Sequence, residues 1–511
     1  MKKTVDLVVI GSASSGLSCA VKARQLGVES VLVLEKMPNT GGCSKFAGQI
    51  SGFDTPVQKR QGLYYSADTA FKDLINVLNW YCDAKLVRKW ITGTGENIRW
   101  LEDEVGVVFS SVNAMNDRPD INRLTMHNVP REPGAGKHTG YRIIEALLNQ
   151  CDRLGIEVLV NTPARHLIKD EASGAITGVT AEMENGETLT VNAKAVMLAT
   201  GSISGSKEMI KRFLIAQGLE ELAVMSGFPH NTGDGIVMAE EVGGAPGKVS
   251  TVFIGPHNHF KGASEIVGTV TRRPHGIKIN KHGERFVDES ICSWSEFGWM
   301  MSANIDRQPG KMSWTVIDQS LLEHMKATRK DKQYLVDFGA IRGNEIVTFG
   351  ETEEVDQNDL TAWILHFDKC VRKEEAEGRA KVCGSIAEMA EYIGCPADVL
   401  EKTMADYNAD CERGYDNDFL KSPEFLFPLD TPPYYVLNGP SGLDSLVGGL
   451  TIDNHQRVLD KDGMPLPGLY AGGVLTSGWL SGLYGFFGSE MSYCVFSGRN
   501  AAGEISEFIK K

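Results

Sequence analysis

The residues with the clearest chemistry stand near the start of the chain. The apolar run Val5–Ile10 leads into Gly11-Ser12-Ala13-Ser14-Ser15-Gly16, a turn built only of small residues. Gly11 permits a tight turn, Ala13 lets backbone approach a pyrophosphate, and Gly16 lets the next helix pack close to the strand. Unpaired N–H groups at that helix's start carry a partial positive charge suited to phosphates. Glu35 follows Gly16 by 19 positions, where an acid bonds a ribose hydroxyl. A glycine turn alone is a weak signal, and its second glycine is replaced by Ala13. Strand, turn, helix, strand and acid together predict a dinucleotide site rather than an ordinary strand-to-helix turn.

That site demands a βαβ unit to position it: strand Val5–Ile10, helix Leu17–Leu26 and strand Ser30–Leu34 ending at Glu35. The whole chain has 511 residues, enough for two to four units or one composite enzyme. With 42% hydrophobic and 23% charged residues it can bury a sizeable core. Lys and Arg number 52 against 66 Asp and Glu, and the net charge of −14 argues against nucleic acid or an anionic membrane as partner. Ten cysteines include no CxxC pair, so no metal centre, iron–sulfur cluster or dithiol motif is expected. Met1-Lys2-Lys3 before an apolar run superficially resembles a signal peptide. The run is only six residues long and contains Asp6, so it reads as a buried strand. No stretch approaches the ~18 apolar residues of a membrane span. A cytoplasmic protein is expected.

Thr40-Gly41-Gly42-Cys43-Ser44 follows the acid, with Gly48-Gln49 close behind. A second glycine loop here can fold over a long cofactor, and the chain here resembles the flavoprotein family of fumarate reductases and 3-ketosteroid dehydrogenases. Four further segments resemble that family. Val158–Ala164 looks like the strand beside adenine, and Val196–Gly201 like the "LATGG" strand end. Asn231–Gly235 looks like the "TGDG" turn, and Pro467–Gly473 like the strand that delivers the flavin ring. The resemblance implies an α/β fold, with a Rossmann-like FAD-binding domain interrupted by an α+β capping domain. The FAD domain would span 1–250 and 441–511, and the cap 251–440, ending where Pro432-Pro433 halts helix and favours extended backbone.

The implied FAD contacts begin with Gly11, Ser12, Ala13, Ser14, Ser15 and Gly16, then Glu35 and Lys36. Gly41, Gly42, Cys43 and Ser44 follow, with Gly48 and Gln49. Ala164, then Ala199, Thr200 and Gly201, then Asp234 and Gly473 continue the set, which Ser489, Glu490 and Met491 complete. Some relatives attach the flavin covalently through a histidine near the second glycine loop. Ser44 and Lys45 stand there instead, so noncovalent FAD is expected. Val474 replaces an acid that follows the family's "YAAG", removing one ribityl contact.

Fumarate reductases grip a dicarboxylate with histidines and arginines, one arginine also donating the proton. Counted from Gly283-Glu284-Arg285-Phe286-Val287-Asp288-Glu289, that arginine falls at Ser293. The "NRLGG" arginine falls at Tyr484 or Gly485, and the histidine before "TMGG" near Ser445. Planar bidentate donors are how proteins hold dicarboxylates, so their loss predicts that fumarate is not the substrate. Ser481–Gly488 instead resembles the ketosteroid dehydrogenase arrangement, in which a tyrosine polarises a substrate carbonyl. Tyr484 is then the candidate donor, and His257, Ser293 and Arg272 are further candidates at the substrate. Trp479, Leu480, Phe486, Phe487 and the Trp294 neighbourhood offer apolar walls for a flat cyclic substrate. Arg285 and Glu289 read as cap-holding residues, and His230 as a packing residue.

The expectation is an FAD oxidoreductase reducing an activated C=C bond of a small molecule such as a steroid or an isoflavonoid-like plant phenolic. The alternatives are an oxidative 3-ketosteroid dehydrogenase and a non-catalytic electron carrier. With no CxxCH haem motif or second nucleotide fingerprint, electrons would come from an external donor: reduced nicotinamide, reduced flavin or a redox protein.

Overall fold

A computed structural model describes residues 1–113, 125–130, 139–222, 224, 228–253, 265–271, 274–293, 300–327, 341–342, 345–348, 351–354, 360–482 and 486–511. The fold is mixed α/β. Its main sheet carries, in order, strands Arg457–Leu459, Pro465–Ala471, Thr188–Leu198, Lys2–Ile10, Val31–Leu34 and Glu157–Leu159. The last five of these run parallel. Leu7, Val8 and Val9 are fully buried, as a central parallel strand covered on both faces requires. Two antiparallel strands, Ala164–Lys169 and Ile176–Glu182, extend this sheet from Thr188–Leu198.

The first helix, Ser14–Gln25, lies against the last, Ser489–Lys510, so the chain's end completes what its beginning starts. They pack tightly at Gly498, where a Cβ would sit 2.2 Å from the Ser15 carbonyl oxygen. Only a residue without Cβ fits there.

A second core belongs to an antiparallel sheet ordered Ile277–Ile279, Met312–Asp318, Tyr434–Pro440, Ala380–Cys383. Pro432-Pro433 directly precedes the strand Tyr434–Pro440. Strand Pro246–Phe253 pairs antiparallel with Leu443–Leu450, joining the segments that enter and leave this region. Arg285 and Glu289 hold this region together. Arg285 donates to Glu289 Oε2 at 2.9 Å and to Asp416 Oδ1 and Oδ2 at 3.0 Å, and Lys421 lies 3.5 Å from Glu289. Burial opposes the Arg285 charge, and the two carboxylates outweigh it, holding its pKa above the ordinary value.

One expected element differs. Val158–Ala164 is not a single strand: Glu157–Leu159 ends, Asn161 turns with φ 50°, and a new strand starts at Ala164. The turn exists because Glu35 reaches across it, accepting from Thr162 N–H at 2.8 Å and donating its own N–H to the Leu159 carbonyl at 2.8 Å. Among the described residues, no helix is long and apolar enough to cross a membrane.

Candidate functional site

A cavity of about 810 Å³ opens along the C-terminal ends of the parallel strands, where open α/β sheets bind ligands. Gly11 forms its floor with φ 106°; a Cβ there would lie 2.3 Å from the Ala199 carbonyl oxygen. Gly16 is the spacer: a Cβ would lie 2.0 Å from the Gly11 carbonyl oxygen. The first helix therefore starts tight against the strand, and Ser12, Ala13, Ser14 and Ser15 line the cavity.

Glu35 is clamped at the cavity wall. It accepts from Ser12 N–H at 3.0 Å and Ser12 Oγ at 2.6 Å through Oε2, and from Met37 N–H at 2.9 Å through Oε1. The second glycine loop covers the turn, with Ser14 Oγ and Ser44 Oγ 2.8 Å apart and Gly41 N–H donating to the Ser12 carbonyl at 3.1 Å. Asn231 reaches the same loop, donating to Cys43 Sγ at 3.2 Å. Lys36 pairs with Asp234 Oδ2 at 2.8 Å, tying the acid's neighbour to the Asn231–Gly235 turn.

Of the residues expected to contact FAD, Gly42, Cys43, Ser44, Ala164, Ala199, Thr200, Gly201 and Asp234 also line the cavity, as do Gly473, Glu490 and Met491. Gly16, Gly41, Gly48, Gln49 and Ser489 do not. Gly16 and Gly41 act one layer back, through the packing and hydrogen bond just given. Ser489 turns its hydroxyl to the Phe486 carbonyl at 2.5 Å, closing the start of the last helix instead.

Sequence reasoning passed over Asp444, which lines the cavity beside Ser445. The available signal was one charge in the otherwise uncharged strand Leu443–Leu450. Burial pushes the Asp444 carboxyl up to about 6. Burial and the Asp444 charge push Glu490 up to about 7, and Ser445 Oγ donates to Glu490 Oε1. Burial likewise pushes the Cys43 thiol up to about 11. Cys43 is therefore no thiolate nucleophile at neutral pH.

The substrate side divides differently. Tyr484, His257, Arg272 and Trp294 lie outside the described residues, while Ser293 ends a short helix Glu289–Ser293. The expected aromatic wall is in part a correction. Trp479 is fully buried, stacked on Tyr493 at 4.1 Å, with its indole N–H on the Thr476 carbonyl at 3.0 Å. Phe486 packs edge-on to Phe53 at 5.0 Å, and Leu480 is buried in the same core. None of the three lines the cavity. His230 does line the cavity, with its ring 5.7 Å from Phe228.

The residues present fit FAD: a turn with no room for a Cβ at Gly11 or Gly16, a clamped acid, and a cavity along the strand ends. Bound there, FAD would supply hydride chemistry, while these residues bind and orient it. Among the described residues, no group of three or more His, Cys, Asp or Glu is placed to hold a metal.

Comparison with known proteins agrees. The chain is 27% identical to the vinyl phenol reductase of Lactiplantibacillus plantarum over 98% of this chain and 96% of that one. It is 29% identical to the urocanate reductase of Eggerthella lenta, over 92% of this chain and 69% of that one. The fold matches 3-ketosteroid-Δ4-(5α)-dehydrogenase from Rhodococcus jostii RHA1 with TM-score 0.74 and 22% identity, covering 99% of this chain and 97% of that one. It also matches the open conformation of a flavocytochrome c3 fumarate reductase with TM-score 0.68 and 21% identity, over 100% of this chain and 79% of that one. The FAD binding domain family matches residues 6–488, and with the cradle, the ribose acid and the cavity described above, the chain belongs to that family and is an FAD-dependent oxidoreductase.

Proposed function

We propose that the protein reduces an activated C=C bond of a cyclic, non-dicarboxylate substrate, with alkenes conjugated to a phenol as the first candidates and steroid enones as the second. What carries this reading is the sequence resemblance, which sets Ser293 and Tyr484 or Gly485 where the family has its two dicarboxylate-gripping arginines. Loss of the bidentate donors removes the means to hold fumarate and leaves neutral residues suited to an uncharged ring. Similarity to a vinyl phenol reductase over nearly the whole of both chains supports the phenolic class.

On this reading Tyr484 donates its O–H to the oxygen on which charge develops, a carbonyl or a conjugated phenol oxygen. His257, Ser293 and Arg272 stand around the same substrate, and the segment 251–440 acts as the cap that excludes water. FAD is held noncovalently, and electrons arrive from an external donor: reduced nicotinamide, reduced flavin or a redox protein. The test is an anaerobic screen in which reduced protein meets vinyl phenols, hydroxycinnamates, enone steroids and fumarate, with flavin reoxidation as the signal. Reoxidation by a phenolic alkene far faster than by fumarate is expected. Fumarate matching the best acceptor overturns the reading, and steroid oxidation without any reduction of alkenes reverses its direction.

A further inference from the structure

A flavin held without a covalent bond must be retained by contacts alone, and the second glycine loop carries an unusual one. That loop ends in Phe46, the last residue of the short helix Gly42–Phe46. Phe46 is 66% exposed and yet lines the cofactor cavity. Its ring lies 5.3 Å from that of Phe228, which in turn lies 5.7 Å from the His230 ring. Phe228 and His230 line the cavity too. Three aromatic rings in a row thus form a lip of the cavity, drawn from two segments far apart in sequence.

The backbone beneath both ends of the lip is fixed. On one side, a Cβ at Gly140 would lie 1.9 Å from the Ser44 carbonyl oxygen, so helix Thr139–Arg153 presses directly on the loop. Gly140 N–H also donates to the Ala47 carbonyl at 2.8 Å. On the other side, a Cβ at Gly205 would lie 2.2 Å from the Phe228 carbonyl oxygen, which accepts from Asn231 N–H at 2.9 Å. Asn231 spans the two sides through its bond to Cys43 Sγ. Other exposed aromatics, such as Tyr64 at 84%, do not line the cavity. An aromatic ring held open to water on a fixed backbone gains free energy only when an apolar partner covers it.

The partner follows from the cavity's own layout. Glu35 bonds Ser12 at one end of the phosphate turn, and Ser44 bonds Ser14 at the other. Phe46 lies beyond Ser44, so it stands past the pyrophosphate from the ribose acid, on the side toward which the isoalloxazine extends. That ring system is flat and aromatic, and aromatic pairs favour offset or edge-on contact. We propose that Phe46, backed by Phe228 and His230, closes over the isoalloxazine and retains FAD by slowing its release. The proposal rests on the noncovalent FAD of the reading above.

The experiment uses FAD-loaded wild type, Phe46→Ala, Phe46→Tyr and, as control, Tyr64→Ala. Release is followed on dilution by the return of free-flavin fluorescence, and shielding by iodide quenching of the bound flavin. Phe46 is exposed in the empty cavity, so its truncation leaves the apoprotein fold intact, which circular dichroism checks. Phe46→Ala should release FAD about 5- to 30-fold faster, the loss expected for covering most of one phenyl ring, and iodide should quench its flavin more strongly. Phe46→Tyr should restore both readouts, and Tyr64→Ala should match wild type. Wild-type release and quenching in Phe46→Ala overturn the proposal. Faster release with unchanged quenching overturns the isoalloxazine contact. Flavin that stays with acid-precipitated wild type defeats the noncovalent reading and the retention role with it, while iodide quenching still judges the contact.

Discussion

Gly16→Ala is the sharpest probe of how the fold holds its cofactor. The added Cβ would lie 2.0 Å from the Gly11 carbonyl oxygen, 3.1 Å from its carbonyl carbon and 3.2 Å from Val9 Cγ1. Comfortable contact needs roughly 3.5 Å, so the start of the first helix must retreat by more than about 1 Å. Forcing such a group into a packed interior costs about 1–3 kcal/mol. The N–H groups meant for the phosphates move with the helix. If the strain falls on the bound state, FAD affinity drops by about 5- to 150-fold. Gly503→Ala is the matched control, because a Cβ there meets nothing within 4 Å and alanine favours helix. The assay is FAD content after gel filtration, with Kd from flavin fluorescence and circular dichroism to check the fold. A Gly16→Ala protein that stays folded and binds FAD as tightly as wild type refutes the argument that this close approach shapes the site.

Three further outcomes are expected. Arg285→Met strands Glu289 and Asp416 with Lys421 as their remaining buried cation and should cost about 3–5 kcal/mol, read as a lower urea midpoint; an unchanged midpoint means the network adds nothing. Apoprotein stability should fall as pH rises from about 4.5 to about 7, because folded Glu490 keeps a proton that the unfolded chain has released. Asp444, raised to about 6 by burial, adds to the fall, so Glu490→Gln should lessen it without abolishing it. Tyr484→Phe should keep FAD and stability but lower turnover by about 10²–10³-fold, the loss expected for one oxyanion donor; wild-type turnover makes Tyr484 a packing residue.

What the sequence could disclose follows how local each feature is. Gly11, Gly16 and Glu35 were legible because a turn, its spacer and its acid are bound to one βαβ unit, whose spacing the geometry of strand and helix dictates. The turn at Asn161 was not, because the Glu35 backbone, distant in sequence, ends the strand there. Trp479 misled for a related reason. An aromatic in an apolar turn looks the same whether it faces a ligand or the core, and only its stacking on Tyr493 decides for the core.

Asp444 and Glu490 are the extreme case. Each alone reads as an ordinary acid, one in a strand and one at a helix start where acids are favoured anyway. Their meaning arises where strand Leu443–Leu450 and the last helix meet over the same cavity. Burial in the cavity, and for Glu490 also the Asp444 charge, raises both carboxyls above their ordinary values, which neither residue discloses alone.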